Sequence, residues 1–292
     1  MKRGSFLEHV GWTGAAGIAY ALGTDGVFAP ASAATMGMSF VQISDSHIGF
    51  ARPANDHVAQ TLMETVQRIN ALPNQPAFVV HTGDVTHLSK PAQFDLAKQI
   101  LGELRAPLLT LPGEHDVIGD GGAAFREHFG RADAPHGWFS FDRGGSHFIA
   151  LVNVSDGEAF GTLGPEQLAW LRADLAAHPR STPIVVFGHV PLYALYAAWG
   201  WTTTDGAEAL ALLARFDAVS VFNGHIHQIV THREGNIRFA TAAATAYPQP
   251  APASAPQPGP LTLPPGELLH AIGYRTVQLT SDVPVVTDVP LG

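Results

Sequence analysis

Histidine and carboxylate side chains recur in this chain directly after short apolar runs. Five such segments follow one another: Asp45-Ser46-His47, Gly83-Asp84, Gly113-Glu114-His115-Asp116, Gly188-His189 and Gly224-His225-Ile226-His227. Imidazole nitrogens and carboxylate oxygens are common ligands of catalytic metal ions. Side chains two residues apart in an extended segment point the same way, so His225 and His227 share one face. The pattern predicts a metal centre assembled from several parts of the chain.

The available ligand types also limit which kind of metal site the chain can form. The chain has 15 histidines and no cysteine, which excludes thiolate zinc sites and disulfides. A pair of metal ions about 3.5–4 Å apart needs a bridging carboxylate, oxygen and imidazole donors on both sides, and open positions for substrate and water. The five segments supply such a set, so any metal site here uses nitrogen and oxygen donors.

The apolar runs before the first three segments are typical of buried strands. Strands predicted at 39–43, 78–80 and 107–111 alternate with helices predicted at 54–72 and 93–104. This alternation with short links indicates a parallel sheet with right-handed crossovers. In such sheets ligands bind outside the carboxyl ends of the strands, which is where the polar segments fall.

The second half of the chain continues the α/β pattern. Residues 137–153 are predicted to form a hairpin, and Leu168, Leu171 and Leu175 form the apolar stripe of a helix that starts at Gly164. Further elements are predicted as follows: strands at 183–187 and 218–222, a helix at 205–216, and strands of a second sheet at 228–244 and 274–286. Residues 247–265, rich in proline and alanine, are predicted to be an irregular surface excursion rather than a linker.

In their order and content the five polar segments resemble the calcineurin-like metallophosphoesterase superfamily, whose pattern is Asp-x-His, Gly-Asp, Gly-Asn-His-Asp/Glu, Gly-His and Gly-His-x-His. The resemblance extends from Ser39 to His227. It implies an α/β fold, a four-layer α/β/β/α sandwich of two mixed β-sheets flanked by helices, here covering residues 35–292. It also implies two metal ions, drawn from iron, manganese or zinc.

The resemblance assigns a role to each polar residue. One metal ion would be held by Asp45, His47, Asp84 and His227, and the other by Asp84, Glu114, His189 and His225. Asp84 would bridge the two ions. His115 would assist catalysis as an acid or electrostatically without being a ligand, and Asp116 could orient it. His81 and His87, which flank the bridge, are expected to be structural, with support of the metal ligands from behind as the alternative.

Glu114 stands where the family normally has asparagine. With Asp45, Asp84 and Glu114 ionised, two divalent ions leave a net charge of about +1 rather than about +2. The lower charge is expected to favour a more highly charged metal pair or to weaken the attraction for a phosphate dianion. The weaker attraction favours a diester over a monoester. The Gly-x-His-Asp segment also resembles the diesterase branch of the family.

The expected activity is hydrolysis of a small phosphoester by a metal-bound hydroxide. An amidohydrolase also binds metals through His-x-His and aspartate, but it places His-x-His first, whereas this chain places it last. A third hypothesis is a binding protein that has kept the metallophosphoesterase fold but has lost catalytic activity because Glu114 replaces the usual asparagine. The net charge of −9 and the lack of a basic tract argue against a nucleic-acid polymer as partner, and the oligomeric state is left open.

Four aromatic residues follow His189 in the sequence: Tyr193, Tyr196, Trp199 and Trp201. They are compatible with a wall of the substrate site, with a subunit contact or with the core.

The first residues resemble an export signal. Lys2 and Arg3 precede a glycine- and alanine-rich apolar run at 10–22, and Ala31-Ser32-Ala33 offers a cleavage site. A twin-arginine signal would have a second arginine where this chain has Gly4. Residues 1–34 are therefore expected to be removed on export to the periplasm, with a cytoplasmic N-terminal tail as the alternative. The run is too short and glycine-rich for stable membrane insertion.

Overall fold

The computed structural model describes residues 37–158, 160–280 and 283–292, and the backbone of two short strands before them. The strands are β1 (Gly11–Trp12), β2 (Ala19–Ala21), β3 (Met38–Ile43), β4 (Val79–His81), β5 (Leu108–Thr110), β6 (Phe139–Arg143), β7 (Ser146–Ala150), β8 (Ile184–Phe187), β9 (Val219–Asn223), β10 (Val230–Glu234), β11 (Ile237–Thr241), β12 (Gly273–Leu279) and β13 (Val285–Pro290). The helices are α1 (Val58–Asn70), α2 (Pro91–Leu101), α3 (Ala123–Phe129), α4 (Gly164–Ala176), α5 (Gly206–Leu213) and α6 (Leu268–Ala271).

The strands form two mixed sheets. One has seven strands in the order β1-β10-β11-β9-β8-β7-β6, and the other has six in the order β2-β13-β12-β3-β4-β5. Strands β3, β4 and β5 run parallel in the six-stranded sheet, and β7, β8, β9 and β11 run parallel in the seven-stranded one. Each sheet therefore presents several strand carboxyl ends at one edge.

Three apolar clusters define the layers of the fold. Helices α1 and α2 cover the outer face of the six-stranded sheet, and α4 and α5 cover that of the seven-stranded sheet. Between the sheets, Phe40 stacks on Phe78 with ring centroids 5.2 Å apart and meets Phe148, Phe187 and Phe222 edge to face. The predicted α/β/β/α sandwich is confirmed.

Helix α1 shows how the sequence pattern produces a layer. Val58, Leu62, Val66 and Ile69 recur at helical spacing and are all buried against the sheet. The helix is shorter than the predicted 54–72, and α3 was not predicted at all. The reason is that helix ends and short helices are decided by tertiary contacts more than by local propensity.

The sheet assignment of the last strands was predicted incorrectly. Segments 228–244 and 274–286 were expected to share a second sheet, but β10 and β11 join the seven-stranded sheet while β12 and β13 join the six-stranded one. Strand β11 pairs in parallel with β9, and β12 pairs antiparallel with β3. Alternation of apolar residues shows which face of a strand is buried, but it does not identify the strand's neighbours.

Part of the first 34 residues contributes to the sheets, although the sequence analysis excluded them from the fold. Strand β1 pairs with β10, and β2 pairs with β13. The expected cleavage site at Ala31-Ser32-Ala33 lies outside the described residues. Among the residues that are described, no helix has the length and apolar character needed to cross a bilayer.

Arg275 on β12 is a buried cation that connects the two sheets. Its Nε donates to Oδ1 of Asp288 at 2.7 Å, and its Nη2 donates to the carbonyl of Thr241 on β11 at 2.9 Å. A further hydrogen bond joins it to Gln42, whose amide donates to Thr82 and to the carbonyl of Asn223 at 3.1 Å each. This network ends two residues before Asp84 and His225.

We expect Asp288→Ala to lower the free energy of unfolding by about 3–5 kcal/mol, because it leaves a buried guanidinium without its counter-charge. Urea unfolding monitored by circular dichroism measures the change. Asp217→Ala is the matched control, since its partner Arg180 is exposed to solvent and the pair should matter much less. Equal destabilisation of both variants would contradict this view of the network.

Candidate metal centre

The seven predicted metal ligands meet where the carboxyl ends of the two sheets face each other. Each follows a strand: Asp45 and His47 follow β3, Asp84 follows β4, Glu114 follows β5, His189 follows β8, and His225 and His227 follow β9. All are buried except Glu114, whose side chain is 24% exposed. The structure thus brings together every residue that the sequence pattern selected as a ligand.

The first group contains Asp45, His47, Asp84 and His227, whose donor atoms lie within 4.8 Å of one another. The Nε2 atoms of His47 and His227 are 3.1 Å apart. Nε2 of His227 is 3.3 Å from Oδ1 of Asp45, and Nε2 of His47 is 3.4 Å from Oδ2 of Asp84. Two imidazoles and two carboxylates that converge in this way fit a divalent metal ion.

The second group contains Glu114, His189 and His225. Oε2 of Glu114 is 2.8 Å from Nε2 of His189, and Oε1 is 2.9 Å from Nδ1 of His225. Yet Oε2 of Glu114, Nε2 of His189 and both ring nitrogens of His225 are buried without a hydrogen-bond partner among the described residues. The atoms are close but are not aligned for hydrogen bonds, and buried polar atoms need a partner. A metal ion between them would provide a partner for Oε2 of Glu114, Nε2 of His189 and one ring nitrogen of His225.

Asp84 lies between the two groups. Its Oδ2 is 3.4 Å from Nε2 of His47 in the first group and 3.5 Å from Nε2 of His189 in the second. Its Oδ1 accepts the backbone N–H of His115 at 2.9 Å, which fixes the carboxylate. One oxygen directed at both groups is the arrangement that a bridging ligand requires.

Backbone carbonyls orient two of the imidazoles. Nδ1 of His189 donates to the carbonyl of Thr82 at 2.7 Å, and Nδ1 of His227 donates to that of Tyr247 at 2.6 Å. With the proton on Nδ1, each ring presents the lone pair of Nε2 to the centre.

Five of the ligands have a left-handed backbone: Asp45 (φ 55°), His47 (43°), Asp84 (54°), His225 (70°) and His227 (51°). This conformation costs about 1–2 kcal/mol for a residue with a Cβ. Such strain persists where the surrounding structure over-determines it, and it clusters at functional sites. Aspartate and histidine adopt positive φ more often than most residue types, but each does so only in a minority of cases, and the sequence analysis missed this feature.

Glycines of the polar segments allow the ligand loops to approach one another. A Cβ on Gly113 would lie 2.1 Å from Oδ1 of Asp84, and one on Gly224 would lie 2.1 Å from Oγ of Ser44 and 2.8 Å from Oδ2 of Asp45. These distances are far below van der Waals contact. Glycine is therefore required at both positions for the carboxylates to reach the centre.

The electrostatic environment favours the ionised forms of Asp45 and Glu114. Burial raises the pKa of Glu114, but the neighbouring His225 and His189 outweigh it and hold that pKa well below its usual range. Burial and His227 oppose each other in the same way at Asp45, and the net effect lowers its pKa to about 2. Burial, followed by His115 and His227, lowers the pKa of His47, so this ring is neutral and can act as a ligand. The centre therefore favours cations.

His115 lies beside the ligands without belonging to either four-residue set predicted to hold a metal. Its ring is 4.8 Å from that of His47 and stacks on His87 at 4.9 Å, and its Nδ1 donates to the carbonyl of His87 at 2.7 Å. Burial lowers the pKa of His115, but the carboxylates of Asp84 and Glu114 raise it more, so the net shift is upward. The ring is therefore suited to hold a proton.

Asp116 forms no hydrogen bond with the ring of His115, so it is not the orienting partner expected from the sequence. Its carboxylate accepts the N–H groups of Val85, Thr86 and Gly113 and the hydroxyl of Thr86, at 2.7–3.0 Å. It thereby holds the loop that carries Asp84 against the loop that carries Glu114. The carbonyl of His87 orients His115 instead.

A cleft of about 320 Å³ opens onto the centre. Besides the ligands and His115, it is lined by Arg52, Trp199, Tyr247, Gln249 and residues 258–260. The 247–265 excursion thus forms a wall of the cleft, held by the hydrogen bond from Gln249 to the carbonyl of His225. The sequence analysis missed Arg52, Gln249 and this wall, because nothing in the residue types marked them.

The four aromatic residues after His189 divide between two environments. Tyr193 and Trp201 are buried in the apolar cluster under α4 and α5, while Tyr196 and Trp199 are half-buried. Trp199 and Trp201 border the cleft. The core and the wall of the site therefore share this loop.

Comparison with known proteins agrees with this geometry. The sequence model of a family described as calcineurin-like phosphoesterase matches residues 38–229. A glycerophosphodiester phosphodiesterase of Enterobacter lignolyticus is 30% identical over 196 residues, which cover 64% of this chain and 69% of that protein. A 3',5'-cyclic-nucleotide phosphodiesterase of Nostoc is 24% identical over 223 residues, covering 72% of this chain and 79% of that protein.

Solved structures share the fold at low identity. A dimetal phosphatase from Danio rerio matches with a TM-score of 0.62 and 12% identity, over 87% of this chain and 99% of that one. A purple acid phosphatase from yellow lupin matches with a TM-score of 0.61 and 15% identity, over 88% of this chain and 52% of that one.

We expect Asp84→Asn to lose about one or both of the two metal ions of this centre, because both groups of ligands use this carboxylate. Element analysis of protein purified in metal-containing buffer measures the content, and circular dichroism checks the fold. Asp56→Asn, at a side chain that is 71% exposed, is the matched control and should keep the wild-type content. Full metal content in Asp84→Asn would end the bridging assignment.

Proposed function

The chain belongs to the calcineurin-like phosphoesterase family and is a metal-dependent phosphoester hydrolase, and we propose that its substrates are phosphodiesters. The observation that carries the proposal is the position of Glu114, whose two oxygens lie 2.8 and 2.9 Å from the ligand imidazoles His189 and His225. A third carboxylate at the centre lowers the net charge that the substrate meets. A monoanionic diester loses less attraction from this than a dianionic monoester does.

A pair of metal ions, proposed to be iron, manganese or zinc, supplies Lewis-acid activation of a nucleophile and neutralises charge on the phosphoryl oxygens when bound. The residues that would hold the ions are Asp45, His47, Asp84, Glu114, His189, His225 and His227. The converging donors and the unpartnered atoms of Glu114, His189 and His225 support a working centre over the alternative of a scaffold that has lost catalysis.

His115 is proposed to donate a proton to the leaving oxygen. Its Nδ1 is held by the carbonyl of His87, so the other ring nitrogen, Nε2, remains to serve the substrate in the cleft that His115 lines. The carboxylates of Asp84 and Glu114 raise the pKa of His115 and so favour the protonated ring, as a general acid requires. A departing alkoxide then leaves as the neutral alcohol.

The cleft suggests how the ester groups bind. Arg52 offers a cation, while Trp199 and Tyr247 offer aromatic surface next to the ligands. The named activities of the relatives are a glycerophosphodiester phosphodiesterase and a cyclic-nucleotide phosphodiesterase, which both cleave diesters. We propose a small diester as substrate here, with phosphomonoester hydrolysis as the second candidate, which the shared two-metal chemistry supports.

We expect His115→Ala to retain its metal and to lose about 10²–10⁴-fold in turnover, the usual scale of general acid catalysis. Hydrolysis of an alkyl glycerophosphodiester, whose alkoxide leaving group needs a proton, is measured together with element analysis of the same sample. Bis-p-nitrophenyl phosphate should lose much less, because p-nitrophenolate leaves without being protonated. His57→Ala is the control, because that ring is 70% exposed. Loss of metal together with activity would indicate that His115 is a metal ligand and would contradict its proposed role as a general acid.

We expect Glu114→Gln to bind the metal pair less tightly, and in excess metal to raise the ratio of monoester to diester hydrolysis. The substitution keeps an oxygen donor and removes one negative charge, which benefits a dianionic substrate more. Rates on mono- and bis-p-nitrophenyl phosphate give the ratio, with the exposed Glu127→Gln as control. An unchanged metal affinity and an unchanged ratio would reject Glu114 as a ligand.

A further inference from the structure

A second cluster of histidine and carboxylate side chains lies at the other end of the seven-stranded sheet. His147 is the second residue of β7 and pairs with Ile184 at the start of β8, whose far end leads to His189. Asp142 on β6 is the direct cross-strand partner of His147. The two side chains therefore share one face of the sheet, remote along the strands from the centre described above.

Helix α4 packs on this face and completes the cluster. It supplies Asp174 from its last turn, and His178 follows one helical turn later, just past the end of the helix. The rings of His147 and His178 are 3.8 Å apart between centroids. The donor atoms of Asp142, His147 and His178 all lie within 4.8 Å of one another.

The buried ligand of this cluster is held in a fixed orientation. Nε2 of His147 is 2.8 Å from Oδ2 of Asp174, whose Oδ1 accepts the hydroxyl of Ser140 at 2.6 Å. The other nitrogen, Nδ1, is 2.8 Å from Oδ1 of Asp142. A carboxylate behind one ring nitrogen and a second donor beside the other is the arrangement that supports a metal-binding histidine.

We propose that this cluster is an additional metal site, which binds one Zn²⁺ through Asp142, His147 and His178. Nδ1 of His147, a ring nitrogen of His178 and a carboxylate oxygen of Asp142 would be the ligands, and Asp174 would orient His147 by accepting its Nε2–H. Two imidazoles and one carboxylate suit zinc and leave a fourth position for water. The proton between His147 and Asp142 leaves to solvent when the ion takes its place.

The competing explanation is an ion pair without metal, in which a protonated His147 bridges Asp142 and Asp174. The two explanations differ at His178. This ring touches His147 but is not part of the carboxylate-imidazole bridge, so its removal should matter little to an ion pair. A zinc site with three protein ligands, by contrast, loses one of them.

Zinc binding by the full chain tests the proposal. Equilibrium dialysis against buffered zinc should give about three ions per chain for the wild type and about two for His178→Ala and Asp142→Asn, the two less buried ligands. Hydrolysis of bis-p-nitrophenyl phosphate by these variants should be unchanged, because neither residue lies at the catalytic centre. His136→Ala, at an exposed histidine elsewhere on the surface, should keep all three ions.

A further variant tests the orienting role. Asp174→Asn keeps all three proposed ligands. We expect it to lower the affinity for the third zinc ion about 10–100-fold and to leave the binding of the other two unchanged. Equal zinc content in the wild type, His178→Ala and Asp142→Asn would overturn the proposal. A loss of thermal stability in Asp174→Asn with no change in zinc binding would equally overturn it and identify the cluster as an ion pair. Each comparison of zinc content is made between variants of one chain. The test of the additional site is therefore valid whether or not the catalytic centre hydrolyses diesters.

Discussion

The central constraint on this protein is the convergence of two buried carboxylates, Asp45 and Asp84, and the partly buried carboxylate of Glu114 in a space shared with imidazoles. Buried charge is costly unless it is paired, and imidazoles that are close but misaligned compensate it incompletely. The left-handed backbone of Asp45 and Asp84 adds strain to the same loops. The centre is thus destabilising by itself, and a cation of sufficient charge relieves both its repulsion and its unpartnered atoms.

The remainder of the fold supplies the rigidity that this arrangement needs. The ligands come from both sheets, so the distance between the sheets sets the distance between His47 and His189 through Asp84. The aromatic layer around Phe40 fixes that spacing from within. Arg275 and Gln42 tie the sheets together with hydrogen bonds that end next to the ligand loops. Packing far from the chemistry therefore determines the geometry of the centre.

Charge and shape together define what such a site can hydrolyse. Glu114 is proposed to adjust the charge that a phosphoryl group meets, whereas Arg52 and Trp199 line the same cleft and are proposed to face the ester groups. Asp116 holds the Asp84 loop against the Glu114 loop through four hydrogen bonds. Because short buried hydrogen bonds join these two loops, a change in one loop is expected to displace the other.

The sequence alone determined the ligand types, their order and the α/β class, because these depend on local patterns: apolar runs that end in glycine, carboxylate or histidine. It also placed Glu114 as the departure from the family pattern. Tertiary structure decided the rest, because a local periodic pattern of apolar residues does not specify which strand pairs with which or which distant segments come into contact. Tertiary contacts of this kind decided four features: the division of β10–β13 between the sheets, the left-handed backbone of the predicted ligands, the wall formed by residues 247–265, and the carbonyl partner of His115. They also decided the meeting of Asp142, His147 and His178, which requires the hairpin and α4 to pack face to face.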